Sequence, residues 1–228
     1  MRIVYEVEGE LARKVGEEAQ RILKELGKED VTVFIVREFK DYPEYVAMHK
    51  ADEEGSKIYV RLVDDFPLLR AALYHEAAHS ILHGSPKYYR FSVSECLEFL
   101  SEYNRLRALY LIAVAVKDYE VARFLKEKGL QETQRPLVAL MSVASRTEQE
   151  AWRLSKGDEE SRALLLAAFM KTFFYVVPLG GPAYLSSYSF LGEHWNRLYN
   201  LTLKLPEILG EDTHENVEKV SCLLRSIL

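Results

Sequence analysis

Apolar and polar positions alternate with a helical period at the start of the chain, then a strand period, then a helical period to the end. In residues 10–26, Leu11, Val15, Ile22 and Leu26 share one side with charges elsewhere, and Gly27 stops the run. The pattern predicts an amphipathic helix. "VTVFIV" (31–36) is a short β-branched and aromatic run that predicts a buried strand. "EYVAMHK" (44–50) and "KIYVRLV" (57–63) flank the turn-like "ADEEGS" and predict a hairpin. The order to this point is helix, strand, strand, strand.

The next stretch, "LRAALYHEAAHSILHGS" (69–85), belongs to a helix. Asp65 or Phe66 is placed to cap it, Pro67 sits in the first turn where a missing N–H does no harm, and Gly84-Ser85-Pro86 ends it. No strand pattern follows. "SVSE" (92–95) is a capping box that predicts a helix continuing to Lys128. Further helices are predicted over 136–155, 159–176, 188–204 and 214–227, with Gly129, Gly157, "PLGGP" (178–182) and "PEILGED" (206–212) between them. The chain reads as α+β: residues 1–128 combine helix, small mixed sheet and motif helix, and residues 129–228 form an all-α part expected to pack on the first.

Composition narrows the partners. The 228 residues carry a formal net charge of −5 with no block of like charges, which argues against a nucleic-acid partner. Cys96 and Cys222 make neither a disulfide framework nor a cysteine metal motif, so a reducing, cytoplasmic setting is expected. Cys96 lies on an apolar face with Leu100 and Tyr103 and reads as a core thiol. The N-terminus has no apolar core of signal-peptide length. "LYLIAVAV" (109–116) is too short to span a bilayer, and Lys171 interrupts "ALLLAAFMKTFFYVV" (163–177), so no membrane partner is expected. The leucine-rich C-terminal helices are a route to a homo-oligomer.

His75-Glu76-Ala77-Ala78-His79 changes the picture most. Positions i and i+4 lie one turn apart on one helix face, so His75 and His79 can converge on one ion. Glu76, rotated by about 100°, can stand beside that ion and hold a water without being a ligand. Zinc hydrolases use H-E-x-x-H because one rigid turn then supplies two ligands and a general base. A third protein ligand is needed. His83 follows by another turn, but three consecutive turns of one helix wrap a tetrahedral ion poorly, so His83 reads as a neighbour of the ligands. Downstream, Asp118 shares a helical stripe with Leu111, Val114, Ala122 and Leu125, whereas Glu120 has Lys117, Arg123 and Glu127 as neighbours. A carboxylate amid apolar side chains needs a partner, so Asp118 is the preferred third ligand and Glu120 the alternative. Glu95, Glu98 and Glu102 read as surface, and His49 and His214 carry no signal.

"HEAAHSILHG" resembles the H-E-x-x-H-x-x-L-H-G of the IrrE/ImmA-type zinc metallopeptidases and other short zincins. "DYEVARFL" resembles the E-x-x-A-N-x-F-A helix that supplies their third ligand, a glutamate. In that register Asp118 falls on the ligand, Val121 on the Ala, Ala122 on the Asn and Phe124 on the Phe; Asp stands for Glu, and the Asn is absent. The resemblance covers residues 8 to 126. It implies a zincin-like N-terminal part, a Zn2+ cofactor, a peptide or protein substrate, and Glu76 as general base for a metal-activated water. It further implies that the substrate pairs as an extended strand with a sheet edge, for which "KIYVRL" is the candidate. Tyr119 joins His83 as a neighbour of the ligands, and Tyr184, Tyr188, His194 and Tyr119 are candidates to stabilise the oxyanion. Two other functions share these residues: a zincin-fold regulatory or binding protein without turnover, and a zinc hydrolase of a non-peptide amide.

Overall fold

The structure is a computed structural model that describes residues 1–40 and 45–228. It is α+β, and the chain divides into two compact units: residues 1–89 with 127–137, and residues 90–126 with 138–228. The division differs from the 128/129 boundary read from the sequence, because the long helix that precedes residue 127 belongs with the later helices.

In the first unit, β1 (Arg2–Tyr5) is followed by α1 (Glu10–Glu25), β2 (Val31–Val36), β3 (Ala47–Asp52), β4 (Gly55–Arg61) and α2 (Phe66–Leu82). The strand β1 was not expected; four residues are too few to show a period. The expected strand over 44–50 begins with Glu44, which lies outside the described residues. The sheet order is β1-β2-β4-β3, with β1 parallel to β2, β2 parallel to β4, and β3 antiparallel to β4. The helix α1 makes the crossover that a parallel β1–β2 pair requires.

The hairpin is tighter than expected. Asp52 pairs with Gly55, Glu54 N–H donates to Asp52 Oδ1 at 2.9 Å, and Gly55 has φ +112°, which a side chain would strain. Because β4 inserts beside β2, the "KIYVRL" strand is internal and β3 is the edge. The expectation that "KIYVRL" offers a free edge is therefore corrected: its hydrogen bonds are used on both sides.

One face of this sheet is buried. Val33 and Ile35 of β2, Ile58 and Val60 of β4, and Ala47 and His49 of β3 alternate onto it. The helix α1 packs on β2 and α2, and α2 packs on β3 and β4. The interior of α2 is covered nearly all round, with Leu69, Ala71, Ala72, Leu73, Ala77 and Ala78 buried.

The second unit holds α3 (Glu102–Glu127) up to Lys126, α5 (Arg146–Leu154), α6 (Glu159–Gly180), α7 (Glu193–Ile208) and α8 (Thr213–Ile227); α4 (Arg135–Met141) crosses the division at residue 138. Phe169, Phe173, Phe174, Tyr175 and Tyr188 are its largest fully buried side chains. Three expected helices differ from those observed. "SVSE" opens only a 3-10 turn, Glu95–Leu97, and α3 starts at Glu102. The helix expected over 136–155 is two, α4 and α5. The one expected from 188 starts at Glu193, after a 3-10 segment over Pro182–Leu191.

Cys96 and Cys222 form a disulfide within the second unit. This corrects the reading of Cys96 as a core thiol and removes the support the cysteines lent to a reducing compartment. Among the described residues, α6 has the length and composition to cross a bilayer, with a mean hydropathy of 1.7. In its own unit its Leu166, Ala167, Met170 and Phe174 are core.

Candidate metal centre

Local sequence sets where α2 begins and ends. The Asp65 carboxylate accepts from Leu68 N–H at 3.0 Å, and Pro67 lies in the first turn. At the other end His83 N–H donates to the His79 carbonyl at 2.7 Å. Gly84 then passes directly against the Ser80 carbonyl oxygen, where any Cβ would collide. The absence of a side chain at 84 lets the chain leave the helix while His83 turns inward, only 1% exposed.

His75 and His79 stand on successive turns with Nε2 atoms 3.1 Å apart and ring centroids 4.6 Å apart, nearly perpendicular. Two nitrogens bound to one tetrahedral zinc at about 2.0–2.1 Å would stand roughly 3.3–3.4 Å apart. The observed spacing fits that edge to within a few tenths of an ångström, so the donor pair suits the ion. His75 is buried and His79 half-buried.

His79 Nδ1 lies 3.0 Å from His83 Nδ1. When His79 Nε2 offers its lone pair to an ion, its proton sits on Nδ1 and is donated to His83. That hydrogen bond fixes both the tautomer and the ring orientation of His79. His83 is in turn held edge-on by Tyr88, at 5.4 Å between centroids.

A fourth histidine joins this group. His49, on the buried face of β3, lies parallel to the His79 ring at 6.3 Å between centroids. Its Nε2 is 2.7 Å from Ser56 Oγ and its Nδ1 is 2.9 Å from the Tyr89 hydroxyl. Ser56 and His49 are diagonal neighbours on one face of the β3–β4 pair, which places their side chains within reach. Tyr89 ends a 3-10 turn, Pro86–Tyr89, that follows α2. Its phenol is pushed well above the usual range, first by burial of the hydroxyl and then by the negative charge of Glu76. Glu76 itself is half-buried on α2. Neither His49 nor Tyr89 stands out in the sequence. The signal present was the alternation Ala47, His49, Ala51, which puts His49 on the same side of the strand as two small side chains.

The remaining site residues belong to the second unit. Asp118 is 3% exposed in the middle of α3. Tyr119 is buried and meets Phe174 edge-to-face at 6.3 Å. Glu120 is also buried, contrary to its expected solvation: Thr213 Oγ1 donates to Oε2 at 2.9 Å and Asn216 Nδ2 to Oε1 at 2.7 Å. The helix α8 thus covers Glu120 and holds both its oxygens. Tyr188 donates to Glu148 at 3.3 Å, its phenol pushed up to about 12 chiefly by burial. His194 bonds the Leu228 carbonyl at 2.8 Å and lines an open cavity of about 370 Å³ with Asp158 and Arg162. Tyr184 is exposed. His214 Nε2 bonds the Arg90 carbonyl at 3.2 Å.

Compared with protein-family models, curated proteins and solved structures, the chain gives no significant match to any.

Proposed function

We propose that the protein is a zinc-dependent peptidase in which His75 and His79 hold the ion, Asp118 is the third protein ligand and Glu76 is the general base. The observation that carries this reading is the pair of Nε2 atoms 3.1 Å apart on α2, with a carboxylate one residue along the same turn. Two imidazoles turned toward each other in a largely buried place are costly unless they share a proton or an ion. The order helix, sheet, edge hairpin and motif helix also suits a zincin-like arrangement.

Zinc, when bound, supplies a lowered pKa for the attacking water and polarisation of the scissile carbonyl. Glu76 would take the proton from that water and later deliver it to the leaving amine. His83 would hold His79 in the tautomer that leaves Nε2 as a ligand. Asp118 is preferred over Glu120 because both Glu120 oxygens already accept hydrogen bonds from α8. The sheet offers β3 as its edge next to β4, and an extended peptide would add there by main-chain hydrogen bonds.

Elemental mass spectrometry on dialysed protein tests the centre: about one zinc per chain is expected, and His75→Ala should abolish it. Glu76→Gln should keep the zinc and lose at least about 10²-fold in hydrolysis of a mixed peptide library. No zinc, and none taken up when added, would overturn the centre. Unimpaired cleavage by Glu76→Gln would overturn the assigned base.

A further inference from the structure

We propose that Ser56, His49 and Tyr89 form a proton-ordered chain that presents the Tyr89 O–H to the substrate's carbonyl oxygen as it gains negative charge. This makes Tyr89 a catalytic residue and His49 and Ser56 positioning residues. The inference rests on the peptidase reading above, and it assigns the oxyanion donor to the first unit rather than to Tyr184, Tyr188, His194 or Tyr119.

The order of protons follows from the buried end of the chain. Ser56 is buried, and among the described residues its hydroxyl has His49 Nε2, at 2.7 Å, as its hydrogen-bond partner. A buried hydroxyl that keeps its proton from an acceptor is costly, so Ser56 donates to Nε2. His49 Nε2 is then the acceptor nitrogen, and the single imidazole proton must sit on Nδ1. Nδ1–H points at the Tyr89 oxygen, 2.9 Å away. Tyr89 therefore receives a hydrogen bond from His49 and directs its own proton to an acceptor other than His49. Accepting from an N–H also polarises the phenol and strengthens its donation.

Place and protonation both suit this role. The His49 ring lies parallel to that of His79, so the chain runs alongside the proposed ligand pair. Tyr89 closes the 3-10 turn that follows α2, and the Glu76 charge bears on its phenol. Burial first and that charge second push the phenol upward, so Tyr89 holds its proton at neutral pH, as a donor must. As a residue Tyr89 keeps 42% of its surface exposed, so it lies at the border of its unit and not in the core. Throughout, Tyr89 lends a hydrogen bond and does not give up its proton, so no proton has to be replaced between turnovers. A donor fixed in this way stabilises the charge that develops and not the ground state, so it should act on kcat.

The experiment has two readouts. Nitrogen-15 NMR of the histidine rings reports the His49 tautomer whether or not metal or substrate is present. The Nδ1-protonated form is expected in the parent, and Ser56→Ala should lose that preference. A parent with the proton on Nε2 overturns the chain. Kinetics on the best-cleaved peptide then compare the parent with Tyr89→Phe, which retains the ring. A fall in kcat of about 10²–10³-fold, with KM within twofold and zinc content unchanged, is expected. An active parent whose Tyr89→Phe variant stays within threefold in kcat overturns this proposal alone. A zinc-loaded parent that cleaves no peptide overturns the peptidase reading, and the catalytic role of Tyr89 with it.

Discussion

Glu18 on α1 shows how a single charge is tolerated at a helix contact. Arg21 Nε donates to Glu18 Oε2 at 3.0 Å and Arg21 Nη2 to Oε1 at 2.8 Å, and Arg70 Nε from α2 donates to Oε1 at 2.6 Å. The hydrogen bond from Arg21 lowers the carboxyl's pKa below its ordinary 4.5 despite burial, which acts the other way. Because the folded value lies below the unfolded one, the stabilisation is complete above about pH 4.5 and disappears as pH falls through the folded value. Glu18→Gln should therefore cost about 1 kcal/mol at pH 7 and less near pH 2, read from urea unfolding at both pH values. An equal loss at both would show that shape, not charge, matters at this position. At the same scale, His75, Glu76 and His79 were legible because a four-residue spacing fixes their relation within one turn. His49 was not legible, since its partners Ser56, His79 and Tyr89 meet it only through strand pairing and the return of the chain after α2.

Two S-x-x-E patterns separate what an element's sequence says from what its surroundings allow. Ser145 Oγ accepts from Glu148 N–H at 3.1 Å while Glu148 Oε2 accepts from Ser145 N–H at 2.6 Å, a complete capping box that starts α5. The single helix expected over 136–155 is divided at this cap. The pattern at 92–95 has no such outcome. Ser94 Oγ accepts from Cys96 N–H at 3.1 Å and donates to Glu218 Oε1 of α8 at 2.8 Å, so it ends up capping a single 3-10 turn. Ser145→Ala should destabilise the second unit by about 1 kcal/mol, a fall in Tm of about 2–4 °C by calorimetry. An unchanged Tm would mean that α5 is held by tertiary packing alone.

The whole molecule carries a covalent constraint that neither cysteine's local sequence announced. Cys96 and Cys222 are 126 residues apart, and their bond ties α8 to the turn before α3 inside the second unit. Closing so long a loop restricts the unfolded chain, so reduction should lower stability by about 2–4 kcal/mol. Guanidinium unfolding with and without dithiothreitol reads this, with the Cys96→Ala/Cys222→Ala double variant as the control that no longer responds. A midpoint unmoved by reductant would mean that the thiols are unpaired in solution. The exposed position of Cys222 leaves the bond open to a reductant without prior unfolding.

By itself the sequence determined what depends on neighbours a few residues away: the helix α1, the strand β2, the capped motif helix, and the histidine pair with its carboxylate. Periodicity, caps and i,i+4 spacing act within one or two turns, so they are written locally. Only the tertiary structure decided that β4 lies inside the sheet and β3 at its edge, since both strands carry similar patterns and only pairing with β2 distinguishes them. It also decided that Glu120 is buried under α8 and that the two cysteines meet. Likewise, His49 and Tyr89 come to stand beside the H-E-x-x-H turn only in the folded chain. Each of these joins segments distant in the chain, where the partner that satisfies a polar group is chosen by packing and not by the residues next to it.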